Sequence, residues 1–85
     1  MSGTSEVHVR LGSSIAASNV RSRLTVKVEH GATMSEVAQK LVRLYPALRY
    51  HLETAIVTVN GQVVDNNHTA AADDSVAFLA PVAGG

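Results

Sequence analysis

Few residues in this chain combine a reactive type with a useful spacing. His8, His30, His51 and His68 are scattered with no pairing at metal-ligand spacing, so they read as solvated histidines and no metal site is expected. Asp73-Asp74 has the charge to attract a cation, but a turn before a strand accounts for both residues. Glu36 is placed to cap a helix rather than to act as an acid, and Gly3, Gly12 and Gly31 are too isolated to cradle a phosphate. The chain has no cysteine, which excludes a disulfide framework and a thiol nucleophile and leaves the redox compartment open. What remains is the C-terminus, Gly84-Gly85. The two residues lack a Cβ and have maximal backbone freedom. On composition alone such a pair is a frayed end, so its meaning depends on the elements before it.

The elements are those of one small domain. The 85 residues are sufficient for a single sheet covered by a helix. The only aromatics are Phe78, Tyr45 and Tyr50, so the core must be built from Val, Leu, Ile and Ala, which leaves little room for a large ligand cavity. Acidic and basic residues cancel, and Arg10, Arg21, Arg23, Arg43 and Arg49 are dispersed without interleaved aromatics, which argues against nucleic acid as a partner. Residues 1–5 are expected to be disordered. They lack the basic and apolar regions of a signal peptide, and no stretch has the length of a membrane span, so a soluble, cytoplasmic protein is expected.

Val7, Val9 and Leu11 alternate with His8 and Arg10, and Leu24, Val26 and Val28 alternate with Thr25, Lys27 and Glu29. Both patterns predict strands with one buried face, joined by a long polar hairpin loop from Gly12 to Arg23. Thr33 and Glu36 form a capping-box pair, and Met34, Val37, Ala38, Leu41, Val42 and Tyr45 recur at helical spacing until Pro46. A further short helical turn is expected within Ala47 to Glu53. Ile56 to Val59 and Gln62 to Val64 flank Asn60-Gly61, the dipeptide suited to a tight turn with positive φ. Val76 to Leu79 is a last short strand, with Val76 and Phe78 toward the core and Ala77 and Leu79 on the opposite face. Ala80-Pro81-Val82-Ala83-Gly84-Gly85 has no periodicity and is expected to be a mobile arm. The order predicts an α+β fold of the β-grasp type, a mixed sheet with one main crossover helix.

That order, ending in Gly84-Gly85, resembles the ubiquitin-like sulfur carriers of the MoaD/ThiS type. The run from Asp74 to Gly85 looks like the tail of the small subunit of molybdopterin synthase, and Val59-Asn60-Gly61 is similar to the family's central hairpin. More loosely, the similarity runs from about Val7 to Gly85. It implies that the Gly85 carboxylate is adenylated by an E1-like, ATP-consuming enzyme and converted by a sulfur donor enzyme to a thiocarboxylate, which a sulfur-accepting synthase then uses. The chain would be a carrier rather than an enzyme and would bind no cofactor itself. Leu79, Ala80, Pro81, Val82, Ala83 and Gly84 would contact the partner, with Pro81 and Val82 adding apolar area and limiting the entropy lost on docking.

The chain departs from the molybdopterin members in three places. Ala80-Pro81 stands where they often have two prolines after an aromatic pair, Asp73 replaces a glycine before the last strand, and Leu11-Gly12-Ser13 lacks the usual aromatic ending. Molybdopterin synthesis is the expected destination of the sulfur. Thiamine, cysteine or a specialised metabolite are alternatives, as are a protein modifier joined through Gly85 and a plain binding module.

Overall fold

The computed structural model describes residues 3–12, 15 and 22–81. β1 (Thr4–Leu11) and β2 (Arg23–Glu29) form an antiparallel pair, and α1 (Met34–Leu44) follows. A 3-10 turn (Pro46–Leu48) leads into α2 (Arg49–Glu53), then come β3 (Ile56–Val59), β4 (Gln62–Val64) and β5 (Ser75–Leu79). The strands lie in the order β2-β1-β5-β3-β4, with β5 parallel to β1 and antiparallel to β3. This is the expected β-grasp: a mixed sheet, with the helices on one face.

The register explains the core. Val9 pairs with Leu24 and Val76, Val59 pairs with Val76, and Phe78 lies between Leu11 and Val57, so inward residues form continuous rows across the sheet. Val37 and Leu41 from α1 are fully buried against these rows, and Ala38, Val42 and Tyr45 pack at the margin. Leu48 and Leu52 close the core from the short helical segment after Pro46, where a helical turn was expected.

The start of α1 is held from two sides. Thr33 Oγ1 accepts the Glu36 backbone N–H at 3.3 Å, and Glu36 Oε1 accepts the Thr33 N–H at 2.9 Å. Two further N–H groups that a helix start leaves without intrahelical partners, those of Met34 and Ser35, donate to the carbonyls of His68 and Asn66 at 2.9 and 3.0 Å. Thr33→Ala removes the side-chain acceptor and should cost about 1 kcal/mol, read as a lower urea midpoint at an unchanged slope. A midpoint equal to that of the parent would mean that the loop carbonyls alone hold the helix start.

Three sequence expectations are corrected. Disorder over 1–5 fails at Thr4 and Ser5, because β1 starts at Thr4: Thr4 pairs with Glu29, Ser5 with Val28, and Ser5 is buried with its hydroxyl 3.3 Å from His30 Nδ1. Ile15, given no core role in the hairpin loop expected after Gly12, is completely buried, and its N–H donates to the Gly12 carbonyl at 2.9 Å. Arg23, taken as loop, is the first residue of β2. Turn-forming neighbours in the sequence hid one core residue.

Candidate functional site

The tail departs from the most enclosed strand. β5 is hydrogen-bonded on both sides, and the Gly12 N–H extends its pairing with β1 by donating to the Phe78 carbonyl at 2.9 Å. Its start is fixed by a polar clamp. Asn60 Oδ1 accepts the Ser75 N–H at 3.0 Å, Asn60 Nδ2 donates to Asp74 Oδ1 at 3.1 Å, and Asp74 Oδ2 accepts the Ala71 N–H at 2.8 Å. The Asn-Gly turn thus does two things: its positive φ angles of 51° and 86° reverse the β3–β4 hairpin, and its first side chain sets where β5 begins. Asp73, which stands where the resembling family has glycine, adopts a left-handed φ of 64°, a conformation that aspartate tolerates better than most residues.

Leu79 ends β5, half-buried, on the face away from the helices. Ile56 pairs with it and is 38% exposed, so an apolar patch lies where the chain leaves the sheet. Sequence reasoning did not assign Ile56 to the site, although its parity opposite to Val57 and Val59 was the available signal. Ala80 and Pro81 follow, exposed and outside the strand. Val82, Ala83, Gly84 and Gly85 lie outside the described residues. Ala77 shares the face of Leu79 as expected, yet it is only 7% exposed. It pairs with Arg10 on one side and Thr58 on the other, and a methyl group in a central strand is covered by such neighbours.

The other candidate chemistry is not assembled. His8 Nε2 is 3.5 Å from Asp73 Oδ1 and its Nδ1 is 3.5 Å from Thr25 Oγ1, both contacts at the solvent. Among the described residues no three His, Asp or Glu side chains gather to hold a metal ion, and no helix is long and apolar enough to cross a membrane. What the geometry presents is a rigid base with an apolar patch from which a C-terminal segment leaves.

Comparison with known proteins agrees with this geometry. The family model described as "ThiS family" matches residues 16–85. The small archaeal modifier protein 1 of Haloferax volcanii superposes with a TM-score of 0.83 at 23% identity, covering 92% of this chain and 99% of that one. A putative molybdopterin converting factor subunit 1 from Pyrococcus furiosus gives 0.80 at 15% identity, with the same coverages of 92% and 99%. A chain of the complex of subunits 1 and 2 of the Helicobacter pylori molybdopterin-converting factor gives 0.69 at 21% identity, covering 94% and 99%. At these identities the likenesses establish the fold. No curated protein sequence matches this one.

Proposed function

Because the chain belongs to the ThiS family, we propose that it is a sulfur carrier whose Gly85 carboxylate is adenylated and then converted to a thiocarboxylate. The observation that carries this reading is the family match extending through the terminal Gly84-Gly85, behind a β5 clamped in register. The carboxylate attacks the α-phosphorus of ATP and releases pyrophosphate. Sulfur from a donor enzyme then attacks the acyl carbon and AMP departs. Sulfide gives the thiocarboxylate directly, and a donor persulfide gives an acyl disulfide whose S–S bond a second thiol cleaves, that thiol and the donor thiol being oxidised to a disulfide. The adenylating enzyme and the sulfur donor supply the catalysis and the ATP. Small carriers of this type are generally non-catalytic, and this chain contributes an acyl group and a surface that presents it.

The sulfur would pass to a synthase, with molybdopterin synthesis the preferred destination. The likeness to subunit 1 of two molybdopterin-converting factors supports that choice. Intact mass after incubation with ATP, adenylating enzyme and sulfur donor tests the carrier reading: one oxygen-for-sulfur exchange is expected, and an unchanged mass would reject it. A second reading, a modifier conjugated through Gly85 to target lysines, is favoured by the likeness to small archaeal modifier protein 1 and would give large adducts instead.

Leu79→Asp should leave the domain folded and weaken the adenylating enzyme's affinity at least tenfold, because it buries a charge where an apolar anchor docks beside Ile56. Titration with that enzyme decides it. Unchanged affinity would take Leu79 out of the interface, and loss of the folding transition would assign it to the core.

A further inference from the structure

Across β1 and β2 the outward residues form rows whose charges can be compared directly. Glu6 lies opposite Lys27, an attractive pair. Two positions along, Arg10 lies directly opposite Arg23, an arrangement that destabilises an antiparallel pair when nothing neutralises it. Among the described residues no carboxylate forms an ion pair with either arginine, and both are exposed. The row continues through Ala77, Thr58 and Val63, the last of them 74% exposed, so the two cations stand at the side of a partly apolar strip. A depression of about 840 Å³ opens there, bordered by His8, Arg10, Arg23, Thr25, Ser75 and Ala77.

We infer that the Arg10–Arg23 pair receives carboxylates from an acidic patch on the protein that takes up the tail. Three observations favour a protein surface over a small anion. The site lies on a sheet face rather than in a closed cavity. Its arginines lie on the same sheet face as the half-buried Leu79 and the 38% exposed Ile56, and arginine beside apolar anchors is a combination enriched at the energetic centres of protein interfaces. Finally, Arg10 pairs with Ala77, two residues before Leu79 on the same face, so a partner seated on Leu79 and Ile56 reaches the arginines without changing direction. Carboxylates suit guanidinium groups through paired, charge-assisted hydrogen bonds, and a bound patch would remove the repulsion within the pair. The inference rests on the carrier reading for the partner's task, but not for its chemistry.

The test combines adenylation kinetics with a peptide probe. With an adenylating enzyme that catalyses pyrophosphate exchange on the parent protein, Arg10→Glu/Arg23→Glu should raise KM for the carrier at least tenfold and leave kcat nearly unchanged. Lys27→Glu, two rows from the Arg10–Arg23 pair on the side away from Leu79, should stay within about twofold. Parent KM should rise with added NaCl, and this dependence should be weaker in Arg10→Gln/Arg23→Gln. In parallel, a hexaglutamate peptide should shift the amide resonances of Arg10, Arg23 and Ala77, and the shifts should vanish in the Gln variant. An unchanged KM in a folded charge-reversed protein overturns the inference. If that variant does not fold, a parent KM insensitive to NaCl overturns it. Shifts produced by inorganic phosphate but not by hexaglutamate also overturn it, in favour of a small-anion site. If the parent supports no pyrophosphate exchange, the carrier reading fails and the hexaglutamate shifts alone decide, their absence removing the arginine site.

Discussion

Protein amidated at Gly85 should show no adenylation and no sulfur loading under conditions that load the parent completely. The proposed function places all of the chain's chemistry on one carboxylate, and an amide does not supply the anionic oxygen that attacks ATP. Appending one residue that is not removed should have the same effect, because the carboxylate is then displaced from the position at which the adenylating enzyme would act. The melting temperature should hardly change: the buried part of β5 ends at Phe78, Leu79 is half-buried, and Ala80 and Pro81 are already exposed. Gly84→Ala is a graded version that should slow loading by crowding the channel and narrowing the backbone's choices. The measurement is intact mass beside a thermal melt. Sulfur transfer by the amidated protein at the parent rate would disprove the carrier reading, since the chain has no cysteine to hold the sulfur elsewhere.

Phe78→Ala should lower folding stability by about 3–5 kcal/mol through lost transfer energy and the cavity left behind. Phe78 is the chain's sole phenylalanine, is 1% exposed, and lies between Leu11 and Val57 in the strand that joins the two halves of the sheet. Strands hydrogen-bonded on both sides have little freedom to collapse into such a cavity. Domains of this size have about 5–15 kcal/mol in total, so the loss is a large share of stability. Val63→Ala is the matched comparison. Its side chain is on the same sheet but 74% exposed, and a change within about 0.5 kcal/mol is expected. Urea denaturation of both proteins decides the matter, and equal midpoints would contradict the core described above. Loss of Phe78 packing should also reduce sulfur loading, because the departure point of the tail is set by the registers of β5 with β1 and β3.

Features encoded over a few neighbouring residues were legible in the sequence. The Thr33–Glu36 capping box, the apolar spacing of α1, the Asn60-Gly61 turn and the parity of β5 each depend on local sterics and hydrogen bonding, and each occurs where the sequence places it. The terminal Gly-Gly acquired its meaning from what precedes it, through resemblance more than through any property of glycine. Long-range pairing decided the rest. The burial of Ala77 required β5 to lie between β1 and β3, and the burial of Ile15 required the core cluster it joins, which is assembled largely from strands and helices far from it in sequence. Asp73 could not announce its left-handed backbone, because aspartate is compatible with several turn conformations and the bonds that fix this one, from the Asp73 N–H to the Glu6 carbonyl and from Asn60 to Asp74, join residues distant in sequence. Arg10 and Arg23 looked dispersed along the chain, thirteen positions apart by their numbers. Antiparallel register brings them face to face, and no count of charges along a sequence contains that juxtaposition, because it arises from which strand residues share hydrogen bonds.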